Sequence, residues 1–120
     1  MNYVYHITKQ EQWEEAQSSG VYRGDTLDTE GFIHCSQLHQ VVPTANTLFR
    51  GQKDLVLLVI DSARVRAEIR YEAAAGEELF PHIYGPLNPD AVTQALDFEP
   101  RPDGSFQLPA DCADDAHHQP

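Results

Sequence analysis

The chain has 120 residues, with 19 Asp and Glu against 8 Lys and Arg and a formal charge of −11. A single domain of this size buries a core without disulfides or metal, and the acidic balance excludes gripping a nucleic-acid backbone through a basic patch, which needs clustered Lys and Arg. No stretch reaches the roughly 18 apolar residues of a membrane span, and the start at Met1-Asn2-Tyr3 lacks the basic and long apolar regions of a secretion signal.

In chain order, Tyr3-Val4-Tyr5-His6-Ile7-Thr8 reads as a strand, rich in β-branched and aromatic residues. Thr8 and Glu11 form a Thr-x-x-Glu capping box that opens a helix of about ten residues, with Trp13 and Ala16 on its apolar side and Gly20 as its stop. Val21-Tyr22 is a short extended piece, and the polar run Thr26 to Glu30 is turn-like. It leads into a second strand, Phe32-Ile33-His34-Cys35, closed by Ser36. Ser36 is an N-cap candidate for a second helix whose buried face is Leu38, Val41, Val42, Ala45, Leu48 and Phe49. Pro43 lies inside that pattern, so the expectation is a kink there or a short turn and a helix that starts at Pro43, ending by Gly51.

Asp54 to Asp61 contains the continuous apolar run Leu55 to Ile60, the pattern of a strand buried on both faces. Ala67 to Tyr71 alternates, with Ala67, Ile69 and Tyr71 on one face and Glu68, Arg70 and Glu72 on the other. After a Gly-Glu-Glu loop comes a third strand, Phe80-Pro81-His82-Ile83-Tyr84. Asn88 and Pro89 then have the form of a cap and first position of a last helix, with Ala91, Val92, Ala95 and Leu96 as its apolar side. Pro102-Asp103-Gly104 is a turn, and Phe106 to Leu108 adds an edge strand. Residues 109–120, which hold Asp111, Cys112, His117 and His118, form an unpatterned acidic tail expected to be disordered beyond a single domain of residues 1–108. Cys35 lies in a strand and Cys112 in the tail, so no structural disulfide joins them. The chain reads as a reduced, cytoplasmic protein. This order of elements is α+β with a mixed, mainly antiparallel sheet and two to three helices.

Three strands each carry one histidine at mid-strand: His6, His34 and His82. A strand side chain points to one face of its sheet, so three such strands bring three imidazoles to one cleft. Thr8 and Ser36 each follow a histidine by two residues and share its face, and an imidazole with a neighbouring hydroxyl can grip a ribose or a carboxamide. Tyr3, Tyr5, Phe32 and Tyr84 offer stacking surface beside them. Cys35 alternates with His34 and faces the core. A His₃ zinc site is chemically feasible, but none of the usual short ligand spacings occurs, and no metal ligands are assigned.

These residues, from Tyr5-His6-Ile7-Thr8 through Glu30-Gly31-Phe32-Ile33-His34-Cys35-Ser36 and Asp54-Leu55-Val56-Leu57-Leu58 to Phe80-Pro81-His82-Ile83-Tyr84-Gly85-Pro86-Leu87, form an ordered set. It resembles the bacterial domain-of-unknown-function family 952, over about residues 3 to 108. That family has been grouped by fold with the ADP-ribosyltransferases, including the RNA 2′-phosphotransferases, which hold NAD in a cleft of a split sheet. The resemblance implies an ADP-ribosyltransferase-like split sheet, with His6 and Thr8 gripping the nicotinamide ribose, His34 and Ser36 forming the second clamp, and His82 near the third position. A histidine therefore stands where the best-known enzymes of that group have a catalytic glutamate, with Glu72 as a spatial substitute. The 2′-phosphotransferase branch dispenses with that glutamate but relies on arginines, which this acidic chain does not obviously provide. The implied function is a small-molecule-binding domain for NAD or another ADP-ribosyl compound, with glycosyl transfer from NAD slow or undetectable. The alternatives are a non-catalytic binding or regulatory module and a His₃ metal-dependent hydrolase.

Overall fold

In the computed structural model, which describes residues 2–73 and 78–110, the central element is the apolar run at the middle of the sequence. It forms strand β3, Leu55–Asp61, in which every residue is buried. A strand apolar on both faces needs cover on both. It sits at the centre of a three-stranded antiparallel sheet, between β1 (Tyr3–Lys9) and β6 (Val92–Asp97). On one face Val56, Leu58 and Ile60 pack with Val4, Trp13, Ala16 and Tyr22. On the other, Leu55, Leu57 and Val59 pack with Tyr5, Ile7, Val41, Ala45, Phe98 and Phe106.

The second sheet is also three-stranded and antiparallel, in the order β2 (Ile33–His34), β5 (Leu79–Tyr84), β4 (Glu68–Ala73). Its inward face, with Ile33, Cys35 and Ile83, joins the core shared with β1 and β3. Ladder register sets His34 opposite His82 and His82 opposite Arg70, so these three side chains share the outward face. The expected mixed sheet is therefore two sheets, and every strand pair among the described residues is antiparallel. A single bridge, Tyr5 with Ser36, links β1 to the chain beyond β2.

Helix α1 (Gln10–Ser19) buries Trp13 and Ala16 and ends on Gly20, whose φ of 84° is left-handed and whose N–H closes on the Ala16 carbonyl. The capping box is not made: the cap position is Lys9, without a side-chain hydrogen bond. Thr8 is still in β1, opposite Val56, and its hydroxyl turns instead to Tyr22 and Gln12. The turn-like run after Tyr22 becomes a one-turn helix, α2 (Leu27–Glu30). Ser36 does not cap a helix either. Its backbone is committed to Tyr5, and a 3₁₀ turn at Leu38–Gln40, boxed by the Gln37 and Gln40 side chains, precedes α3 (Val41–Leu48). Pro43 is the third residue of α3, where the backbone has no intrahelical acceptor to lose, so no kink is needed.

The last expected helix is a strand. Asn88 and Pro89 open only a 3₁₀ turn, Pro89–Ala91, after which Val92–Asp97 pairs with β3. The edge strand at Phe106 to Leu108 is absent among the described residues. Phe106 is instead a core residue, stacked on Phe98 at 4.8 Å, with its N–H on the Asn46 side chain. The Gly76-Glu77 part of the loop before β5 and the tail from Asp111 lie outside the described residues. No helix among the described residues is long and apolar enough to cross a membrane.

Candidate functional site

Where the two sheets part, a cavity of about 790 Å³ opens, lined by His6, Thr8, His34, Ser36 and His82 together with Tyr22, Asp25, Phe80 and residues of α3. That volume lies within the range of small-molecule sites. The three strand histidines thus reach one concavity, and His34 and His82 meet edge to face, with ring centres 5.2 Å apart.

His6 joins the two sheets. Its Nδ1 lies 2.5 Å from the backbone carbonyl of His34, so Nδ1 carries a proton and donates. Its Nε2 lies 2.7 Å from the Tyr22 hydroxyl, which also stands 2.8 Å from Thr8 Oγ1. Thr8 donates to Gln12, and Gln12 donates to Asp25 at 2.7 Å. Tyr22 has one proton for two contacts. With His6 protonated, every link from Nε2 to the Asp25 carboxylate has its own donor in order. With His6 neutral, Tyr22 must give its proton to one side. Burial opposes the charged form and pushes the imidazole down to about 4, against the raising effect of the His34 carbonyl. Burial likewise pushes the Tyr22 phenol up, so it stays a neutral hydroxyl. Sequence reading identified His6 and Thr8 but missed Gln12, from α1, and Tyr22 and Asp25, from the segment after it.

His82 is built differently. It is buried, and its Nδ1 lies 2.8 Å from Glu72 Oε1, which also accepts from the Tyr84 hydroxyl at 2.5 Å. Those two donors, Tyr84 first, hold the Glu72 carboxyl below the usual carboxylate range. Phe32 stacks on the His82 ring at 4.1 Å, Tyr84 packs on Phe32, and Arg70 lies over Tyr84 at 4.4 Å. Phe32 and Tyr84 therefore form the bed behind His82 rather than the cavity wall. The His82 Nε2 is buried without a hydrogen-bond partner. From the sequence, Glu72 reads as an exposed strand carboxylate that could at most substitute spatially for a catalytic glutamate, and its contact with His82 was not foreseen. Its hydrogen bond to His82 follows from the register that sets β4 beside β5.

His34 is half exposed, with its Nε2 3.1 Å from Glu30. Ser36 is buried at the seam, on the cavity wall. Cys35 faces the core as the alternation requires, and burial pushes its thiol up, leaving it a poor nucleophile. Among the described residues, no three His, Cys, Asp or Glu side chains converge to hold a metal ion. Both nitrogens of His6 are engaged within the protein.

Comparison with known proteins places the chain in a family. The family model described as "Protein of unknown function (DUF952)" matches residues 7–95, and the chain belongs to that family. The crystal structure of protein CC0527 from Caulobacter crescentus is similar, with 36% identity, a TM-score of 0.82, and coverage of 89% of this chain and 95% of that one. The solution NMR structure of the same Caulobacter protein matches with 37% identity and a TM-score of 0.78, over 90% of this chain and 94% of that one. No curated protein matches the chain significantly.

Proposed function

We propose that the chain binds a small molecule of the NAD or ADP-ribosyl class in the histidine-lined cavity, on an ADP-ribosyltransferase-like split sheet. The observation that carries this reading is the convergence of His6, His34 and His82, from β1, β2 and β5, on one cavity at the parting of two antiparallel sheets. In this reading His6 and Thr8, their own hydrogen bonds filled within the protein, shape the wall at the first position, His34 with Ser36 is the second clamp, and His82 the third position. ADP-ribosyl transfer breaks the nicotinamide–ribose bond through a cationic sugar and needs negative charge or a base beside it. The carboxylate nearest the third position, Glu72, is tied up behind His82 by two hydrogen bonds. Glycosyl transfer is accordingly slow or undetectable, and ligand binding is the primary activity.

The test is a thermal-shift screen with NAD, ADP-ribose and zinc, since a ligand specific to the folded state raises the melting temperature with the logarithm of its concentration over its Kd. Nicotinamide release from NAD is followed beside it, in the wild type, His6→Ala and His34→Ala. The expected result is a shift with an ADP-ribosyl compound and little release. Robust release, lost in both variants, would make the chain an active transferase. No shift with any ADP-ribosyl compound would remove the reading, and one tightly held zinc per chain would replace it with the metal-hydrolase alternative.

A further inference from the structure

The charged groups on the cavity wall are unequal: Lys9 is the one cation outside the histidines among the described lining residues, set against Asp25 and Glu78. Glu78 is held there by His39 and Gln40, each at 3.0 Å. The surrounding protein is strongly acidic. Such a wall favours cationic and neutral groups over phosphates. Beside it stands one unmet acceptor. Nδ1 of His82 donates a hydrogen bond to the Glu72 carboxylate, and the other ring nitrogen, Nε2, is buried and unpartnered. Phe32 closes one face of that ring and His34 meets its edge. His34 is the half-exposed member of this enclosure, tied through its ring nitrogen to Glu30 on an exposed side. On this side the enclosure is bounded by a half-exposed side chain rather than by the core.

We infer that the cavity takes the nucleoside end of its ligand, uncharged or cationic, with an N–H or O–H of that ligand given to His82 Nε2, and that phosphate groups weaken binding. This rests on the reading of the cavity as an ADP-ribosyl site. Nicotinamide riboside has the required chemistry, with a cationic ring, a carboxamide N–H and ribose hydroxyls.

The experiment is calorimetric titration of the full chain with nicotinamide riboside, its 5′-phosphate, NAD and ADP-ribose, at low and at physiological salt. The riboside should bind about tenfold or more tighter than its 5′-phosphate at low salt, and the gap should narrow as salt screens the acidic wall. His82→Phe, which keeps a ring against Phe32 but removes the acceptor, should weaken the riboside about tenfold, the usual effect of one lost hydrogen bond. Glu72→Gln, which keeps the imidazole but frees its tautomer, should give a smaller loss and serves if His82→Phe folds poorly. Tighter binding of the phosphorylated compounds would overturn the inference and leave the ADP-ribosyl reading standing. Unchanged riboside affinity in both variants would overturn the role of His82. Absence of binding by all four compounds would remove the underlying reading, and the inference with it.

Discussion

His6 and His82 reach the same cavity from different sheets, and their hydrogen bonding is opposite in kind. His6 uses both nitrogens inside the protein: one on the His34 backbone across the seam, the other on Tyr22 at the head of a chain that ends at Asp25. His82 uses one nitrogen, on Glu72, and keeps the other buried and unpaired. A group whose capacity is filled by its own fold is part of the frame. One held with capacity unfilled, at a structural cost, is the better placed to act on something else. The difference assigns the seam to His6 and the ligand to His82, although both are mid-strand histidines followed by an isoleucine.

The sharpest way to break that distinction is to replace each ring by an apolar side chain of similar bulk. His6→Leu leaves the His34 carbonyl and the Tyr22 hydroxyl short of a partner and cuts a side-chain tie across the seam, so it should cost about 2–4 kcal/mol. His82→Leu removes an orphaned ring nitrogen, keeps apolar contact with Phe32, and takes one donor from Glu72, which keeps its bond from Tyr84 and which water can reach. It should change stability by about 1 kcal/mol or less. Urea unfolding of both variants measures the contrast, and equal losses would mean that His82 is as much a part of the frame as His6.

Part of this contrast was legible in the sequence. The β-branched and aromatic run Tyr3 to Thr8 and the apolar run Leu55 to Ile60 mark two strands that the structure contains, and the placement of one histidine on each of three strands was enough to bring all three to one cavity. The failures have physical causes. Val92 to Leu96 satisfies helical spacing and strand alternation alike, and the vacant edge of β3 decides for the strand. Thr8 and Ser36 are good helix caps in isolation, but Thr8 is drawn into β1 and toward Tyr22, and Ser36 into its bridge with Tyr5. Tyr22, Gln12 and Asp25 bear no local signature at all. They become partners of His6 only because α1 and the segment after it fold back over β1.

Acidification offers a second, smaller test. Burial holds the His6 imidazole at about 4 against 6.5 in an unfolded chain. Between those values the unfolded chain binds the proton more readily than the folded one, so stability falls as pH drops from about 6.5 towards about 4, and this contribution levels off below that. The full shift corresponds to about 3 kcal/mol, and screening at this partly exposed ring on the cavity wall reduces it to about 1–3 kcal/mol. Unfolding free energies at pH 7 and pH 4.5, in the wild type and in His6→Gln, separate it from the general acid effect of carboxylates. Parallel pH profiles in the two proteins would show that the Tyr22-to-Asp25 chain offsets burial and keeps the imidazole near its ordinary range.

The smallest expected effect is the coupling between the two clusters. They touch through His34, whose backbone carbonyl serves His6 and whose ring edges onto His82. Tyr22→Phe deletes the hydroxyl that His6 and Thr8 share, and Tyr84→Phe deletes the strongest influence holding the Glu72 carboxyl low, so that carboxyl should titrate higher. If frame and ligand group are separate, the two substitutions act independently, and the double variant should match the sum of the singles within about 0.5 kcal/mol. A coupling of about 1 kcal/mol or more would make the clusters one network, in which His34 transmits a change at His82 to the seam. A ligand bound at His82 Nε2 would then also alter how firmly His6 holds the two sheets together, and the division of labour between the two histidines would fail.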